Sequence, residues 1–219
     1  MIGSSLELIA TTENELKEAD RISSIGCRVI YVTPELVQMA GVARSLSNGK
    51  YKICVMVDYP RGSKYSMDKF KGTSTDFFLA DGYDIILTPD KKDSDITKEI
   101  NTVHSFVKRM VGQYTEICYT LNASMREEHE IEACAKAFFK NPPSRIKIES
   151  QAVVQPTKAN IDTHEECVSL IRKHCTSPIV ISGNITYDIY ERFRATYKIA
   201  ISPKQYHQMA IKEQSKKEE

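Results

Sequence analysis

The sequence predicts an α/β protein, and two observations favour a single (β/α)8 TIM barrel. First, short apolar runs rich in Val, Ile and Tyr alternate with amphipathic segments of helical length. Second, each strand and the helix after it take about 25 to 30 residues, which is typical of parallel βαβ units. Eight such units in 219 residues fit a closed barrel. The alternative, an open doubly wound sheet, needs a glycine-rich turn after the first strand, where the chain has Thr11-Thr12.

The strands are predicted from their apolar runs, at residues 5–9, 28–32, 52–57, 83–87, 115–119, 145–148, 178–181 and 197–201. Helix starts between them carry local signals. Segments 12–15 (TENE) and 124–127 (SMRE) are predicted capping boxes, and Thr33-Pro34 places an N-cap before a proline. We expect residues 1–212 to form the barrel domain and residues 213–219 to be a disordered C-terminal tail.

The composition excludes several classes of function. A net charge of +1 gives no basic surface for nucleic acid. No apolar run reaches the roughly 18 residues that a membrane helix needs, and the first residues lack the pattern of a secretory signal. The six cysteines form no C-x-x-C pair, and free buried thiols are typical of a cytoplasmic protein. The five histidines fall on predicted helices without metal-ligand spacing, so we expect neither a metal nor another cofactor.

The segment SRIKIES places a lysine inside a predicted strand. Because strands alternate faces, Ile146 and Ile148 point one way and Lys147 points the other, into the barrel. The same parity in strand 83–87 turns Asp84 inward. Charges in such an interior are costly unless they are paired or functional. Periodicity alone leaves both interpretations open, a structural ion pair and a reactive lysine.

Five segments are similar, in order and spacing, to the motifs of one enzyme family. RVIYVTPELVQMA resembles its second strand and following helix, and VMVDYPRGSKYSMDKF resembles its third strand and Phe-Pro-x-Gly turn. LADGYDIILTP resembles its fourth strand, RIKIES lies where it has Lys-Thr-Ser-Thr-Gly, and ISGNIT lies on its Gly-Gly turn. Together they resemble the deoxyribose-phosphate aldolase (DeoC) family, class I aldolases built on a (β/α)8 barrel.

The resemblance implies a Schiff-base lysine at Lys147 and a proton-relay aspartate at Asp84. The amine would form an iminium that accepts electrons from the breaking C–C bond, while the carboxylate moves protons through water. It also implies an aldehyde or sugar-phosphate-like ligand and leaves a homo-oligomer open. Arg61, at the end of the third strand, is a candidate anion ligand. The predicted substrate-binding residues are Arg61, Ser150, Gly183, Asn184 and Ser202.

The sequence departs from the family at the amine and at the phosphate site. The family's second lysine, which lowers the pKa of the reactive amine by repulsion, is replaced by Val180. Glu149 would repel a phosphate, Asn184 replaces a glycine, and Pro203 lacks an N–H donor. The family's acidic first-strand residue is not recognisable in LELIATT.

These matches and departures predict a divergent class I aldolase that cleaves or forms a C–C bond of a small substrate. The alternative is a catalytically inactive barrel of the same lineage that serves as a binding or structural protein.

Overall fold

The computed structural model shows a closed barrel of eight parallel strands that follow one another in sequence order. The structure describes residues 6–24, 26–60, 62, 66–70, 79–150 and 158–218. The strands are β1 Leu6–Ala10, β2 Val29–Val32, β3 Lys52–Val57, β4 Gly82–Ile86, β5 Glu116–Asn122, β6 Arg145–Ser150, β7 Ile179–Gly183 and β8 Lys198–Ile201. Each overlaps a predicted strand, so the predicted fold class is confirmed.

Seven α-helices in the described residues surround this barrel. They are α1 Glu13–Ser23, α2 Val37–Ser47, α3 Asp93–Met110, α4 Glu128–Lys140, α5 Lys158–Arg172, α6 Tyr187–Phe193 and α7 Pro203–Glu218. Short 3-10 turns cover Pro34–Leu36, Ser66–Phe70 and Ala123–Met125. No helix among the described residues is both long enough and apolar enough to cross a membrane.

Two predicted helix starts differ in detail from the structure. Thr12 caps α1 by accepting from the Glu15 N–H at 3.2 Å, but the Glu15 carboxylate binds the N–H of Thr11. The predicted capping box at 124–127 is wrong, because the cap of α4 is formed by Glu127 and Glu130. The Ser124 hydroxyl instead donates to the Asn122 side chain at 2.8 Å.

The expected domain bounds, with a disordered tail at residues 213–219, stay a prediction. In the structure α7 continues to Glu218, and two residues near its end make side-chain contacts. Glu213 lies 3.4 Å from Arg194, and the Lys216 ammonium lies 4.5 Å from the centre of the Tyr187 ring.

The predicted alternation of strand faces is confirmed by the two separate apolar clusters. Ile146 and Ile148 belong to the large cluster between strands and helices. The smaller cluster fills the barrel interior and consists of Val29, Tyr31, Cys54, Met56, Cys118, Val180 and Ala200. All six cysteines are buried and free, so they pack as small apolar side chains. This interior holds the predicted pair of ionisable groups.

Candidate functional site

The centre of the site is the contact between Lys147 on β6 and Asp84 on β4. Both residues are 0 % exposed, and Lys147 Nζ donates a hydrogen bond to Asp84 Oδ2. Thr120, on the intervening strand β5, donates its hydroxyl to Asp84 Oδ1 at 2.6 Å. The ammonium also lies 4.4 Å from the centre of the Tyr31 ring, a cation–π contact. The register of the adjacent strands β4, β5 and β6 therefore brings the two predicted residues, Lys147 and Asp84, together.

The electrostatic surroundings keep Lys147 charged. Burial lowers its pKa, but the carboxylates of Asp84 and Glu149 raise it more, so the pKa of Lys147 lies above its ordinary value. Val180 is its register partner on β7 and adds no positive charge to oppose them. For Glu149, burial raises the pKa, and the Asp84 charge adds to this rise while Lys147 opposes it. A protonated Lys147 is a poor nucleophile at neutral pH.

An acidic side chain that sequence reasoning missed lies on the first strand. Glu7 is buried inside the barrel, where it accepts a 2.6 Å hydrogen bond from the Tyr31 hydroxyl. Arg145 approaches Glu7 to 3.4 Å and Glu116 to 2.8 Å. These contacts fix the Tyr31 ring beside Lys147. Successive side chains in the strand segment LELIA point to opposite faces, with Leu6 and Leu8 outward. This alternation could have identified Glu7 as a residue that points into the barrel.

A cavity of about 270 Å³ opens at the carboxyl end of the strands. It is lined by Ile9, Thr11, Glu15, Tyr59, Glu149, Ser150, Gly183, Asn184, Ser202 and Gln205. The structure thus brings together four of the predicted substrate-binding residues, whereas Arg61 lies outside the described residues. Lys147 is not among the described residues that line this cavity. Tyr59 and Glu149 both line it, and Tyr59 also packs against the interior cluster below.

The backbone at the mouth is held by its own hydrogen bonds. The Asn184 N–H donates to the Ser150 carbonyl at 3.0 Å. The Ser202 N–H donates to Gln205 Oε1 at 3.0 Å, and Gln205 Nε2 donates to the Gly183 carbonyl at 3.0 Å. Ser202 and Gln205 form a capping box at the start of α7. Two N–H donors that a phosphate would need are therefore already occupied.

A second buried lysine lies outside this site. Lys69 Nζ contacts Asp58 Oδ2 and Thr88 Oγ1 at 3.0 Å each, Glu99 Oε1 at 3.2 Å and a backbone carbonyl at 2.7 Å. Four oxygen neighbours satisfy this ammonium, which ties the segment after β3 to α3. Lys69 is accordingly a structural residue.

A larger cavity of about 690 Å³ lies at the opposite, amino-terminal end of the barrel. Arg28 and Lys50 line it together with Lys52 and Arg145, which both form ion pairs with Glu116. Active sites of (β/α)8 enzymes form at the carboxyl ends of the strands. The smaller cavity at that end is therefore the candidate site. Within the described part of the chain, no three His, Cys, Asp or Glu side chains are arranged to hold a metal ion.

Comparison with known proteins supports the fold but not an activity. No protein-family profile matches the sequence, and no curated protein is found by sequence similarity. The structure is similar to a tetrameric deoxyribose phosphate aldolase from Aeropyrum pernix, with 15% identity, a TM-score of 0.74, and coverage of 92% of this chain and 86% of that one. A candidate deoxyribose-phosphate aldolase from Toxoplasma gondii gives 15% identity, a TM-score of 0.69, and coverage of 94% and 91%.

A protein of another description has a similar barrel. A candidate copper homeostasis protein, CutC, from Streptococcus agalactiae shares 14% identity with a TM-score of 0.63, over 92% of this chain and 98% of that one. At such identities the likeness shows the (β/α)8 barrel fold alone, and one fold hosts many functions. Function must be argued from the site.

Proposed function

We propose that the protein is a divergent class I aldolase that forms an iminium at Lys147 with a small carbonyl compound lacking a phosphate group. The observation that carries this proposal is the Lys147–Asp84 contact inside the barrel, below a polar cavity at the end where barrel active sites form. An amine and a carboxylate in contact are the two groups that imine chemistry requires.

The chemistry begins with transfer of a proton from the Lys147 ammonium to Asp84. The free amine then attacks the carbonyl carbon, and loss of water leaves an iminium that accepts the electron pair of the breaking C–C bond. The Thr120 hydroxyl holds Asp84 in position for this transfer. Because the pKa of Lys147 is raised, the amine fraction is small at neutral pH and the reaction should be faster at alkaline pH.

Access to the amine requires a movement at the mouth. Lys147 is fully buried and does not line the cavity, whereas Tyr59 and Glu149 do. A substrate carbonyl must displace one of these side chains to reach Nζ.

The same burial favours a second candidate function, a barrel that has lost catalysis and serves as a binding or structural protein. In that case Lys147 and Asp84 form a structural ion pair, and the cavity binds a ligand without converting it.

Trapping of the iminium separates the two candidates. The protein is incubated with acetaldehyde and borohydride between about pH 7 and pH 10, the latter near the reference pKa of lysine, and adducts are located by mass spectrometry. The aldolase proposal expects an adduct at Lys147 that increases steeply with pH. Lys69 is an internal control, because it is equally buried but satisfied by four oxygens. Adducts on exposed lysines only, with Lys147 unmodified at every pH, would reject the aldolase proposal.

Assembly and location are also proposed. A homo-oligomer is supported by the tetrameric neighbour and by the exposed apolar side chains Val42 and Leu46 on α2. A monomer mass in light scattering would reject it. A cytoplasmic location is supported by the six buried free cysteines.

A further inference from the structure

Three adjacent strands end in buried polar side chains, each of which has one polar atom without a hydrogen-bond partner among the described residues. Asn122, Glu149 and Ser182 are neighbours in register on β5, β6 and β7, and we call them the polar row. They are 5 %, 7 % and 0 % exposed. Asn122 Nδ2, Glu149 Oε2 and Ser182 Oγ have no partner within the described part of the chain. Since buried polar groups are nearly always paired, three unpaired atoms in one row indicate that something else binds there.

The polar row meets the mouth cavity at Glu149, whereas Asn122 and Ser182 are not among the described residues that line it. Glu149 lines this cavity directly, and its neighbours Ser150 and Gly183 continue the lining. Each member of the row offers a different capacity for hydrogen bonding. Asn122 Nδ2 can only donate, an ionised Glu149 carboxylate can only accept, and the Ser182 hydroxyl can do both. Adjacent strands are about 4.8 Å apart, so the row presents these groups at regular intervals. Neighbouring hydroxyl groups, each of which donates and accepts, match such a row.

The charge of the site disfavours an anionic ligand. The Lys147 ammonium is balanced by Asp84, with which it forms the buried ion pair. Glu149 adds a second carboxylate near this one ammonium. A phosphate would face this carboxylate and would find the N–H groups of Asn184 and Ser202 already bonded. The chemistry of the row and its charge both indicate a neutral, hydroxylated ligand.

We propose that the polar row binds the hydroxyl groups of an unphosphorylated hydroxy-aldehyde or hydroxy-ketone, and that Glu149 determines specificity against the phosphorylated form. This inference rests on the proposed function, because it places the carbonyl end of that compound towards Lys147. It defines a substrate subsite on β5, β6 and β7 in which the Glu149 carboxylate disfavours a phosphate.

The test separates binding at the row from reaction at the lysine. The probe is 2-deoxyribitol, which carries hydroxyl groups but no carbonyl and so cannot form an iminium, and it is compared with its 5-phosphate by calorimetry. The native protein should bind 2-deoxyribitol more tightly than the phosphate. Ser182→Ala should weaken 2-deoxyribitol binding about two- to tenfold, and Glu149→Ala about tenfold or more. Ser169→Ala, which changes an exposed serine on α5, is the matched control and should have no effect.

Glu149→Gln supplies the specificity readout, because it removes the charge while it keeps the shape. The preference for 2-deoxyribitol over its phosphate should shrink in this variant. Circular dichroism verifies that each variant is folded, and if Glu149→Ala does not fold, Ser182→Ala and the native comparison decide the result.

The outcomes distinguish the two proposals. Tighter binding of the phosphate, or 2-deoxyribitol affinities equal in native protein, Ser182→Ala and Glu149→Ala, would overturn the role of the polar row. Binding as expected without any borohydride adduct at Lys147 would support the row and reject only the aldolase chemistry. An adduct with 2-deoxyribose that forms equally well in Glu149→Ala would reject the row and leave the aldolase proposal standing.

Discussion

The buried Lys147–Asp84 pair makes a quantitative prediction for stability. Both side chains are removed from water, so either single substitution leaves an uncompensated charge. Breaking a buried pair in this way typically costs about 3 to 5 kcal/mol, a large part of a total stability of about 5 to 15 kcal/mol. Asp84→Asn keeps the shape and removes the charge that pairs with Lys147, whereas Lys147→Met leaves Asp84 with the Thr120 hydroxyl as its hydrogen-bond donor among the described side chains.

The two variants should respond to pH in opposite directions. A buried group that has lost its partner can become neutral by gaining or losing a proton. The free energy of this neutralisation is therefore an upper limit on the stability that the substitution costs. From reference pKa values this limit at pH 7 is about 4.6 kcal/mol for Lys147 and about 4.2 kcal/mol for Asp84. For Lys147→Met, which leaves Asp84 unpaired, the limit falls to about 1.5 kcal/mol at pH 5. For Asp84→Asn, which leaves Lys147 unpaired, the limit falls to about 1.9 kcal/mol at pH 9.

The signs follow from linkage. Burial disfavours an unpaired carboxylate in its charged form, so Lys147→Met loses stability as the pH rises. Unpaired Lys147 would have a lowered pKa in the folded state, so Asp84→Asn gains stability as the pH rises.

The assay is urea unfolding of the native protein, both single variants and the double variant at about pH 5, 7 and 9. We expect crossing pH profiles for the single variants, and a double variant that is more stable than their summed losses predict, by about 1 to 3 kcal/mol. Parallel profiles, or losses below about 1 kcal/mol at every pH, are the behaviour of a solvated pair and would show that the two charges are not buried together.

Three further predictions concern the surroundings of the pair. Glu149→Gln should gain stability over the native protein as the pH rises from about 4 to 8, because burial raises the pKa of Glu149 and its ionisation is costly in the fold; equal denaturation midpoints at both pH values would contradict this. Val180→Lys should speed borohydride trapping at Lys147 near pH 7, if the new ammonium lies within about 4 to 6 Å; an unchanged rate in a folded variant would count against it. Gly183→Ala should cost more stability than Gly112→Ala in urea unfolding, because both have positive φ but only at Gly183 would a Cβ lie 2.2 Å from a backbone oxygen; equal losses would disprove the clash.

Much of the fold can be predicted because its signals are local. Strand positions follow from apolar runs, and period-2 alternation is enough to place Lys147 and Asp84 in one interior. Helix caps are less predictable, since Ser124 binds Asn122 instead of capping α4. That choice depends on where β5 ends relative to the helix, which the local sequence does not specify.

The closed state of the site could not be predicted, because it depends on residues far apart in the chain. Tyr31 reaches Lys147 from β2, and its hydroxyl is fixed by Glu7 on β1. The Gln205 side chain accepts a hydrogen bond from the Ser202 N–H in a capping box formed by the segment SPKQ. The sequence prediction missed this capping box. The burial of Lys147 results from all these contacts together, so no single motif indicates it.

Two residues at which the sequence departs from the family that it resembles, Val180 and Glu149, bear on the same quantity, the pKa of Lys147. Val180 omits a positive charge beside Lys147, and Glu149 adds a negative charge on the same strand. Glu149 raises the pKa of the amine and Val180 does not oppose this rise, and neither side chain favours an anion. Under the aldolase proposal, a less reactive amine and a mouth that disfavours a phosphate would therefore be linked consequences. Loss of catalysis alone does not explain why the Glu149 carboxylate is buried near the Lys147–Asp84 pair. A buried carboxylate is costly unless something binds it. The cost of Glu149 thus favours a ligand at the polar row, whether or not the amine reacts with it.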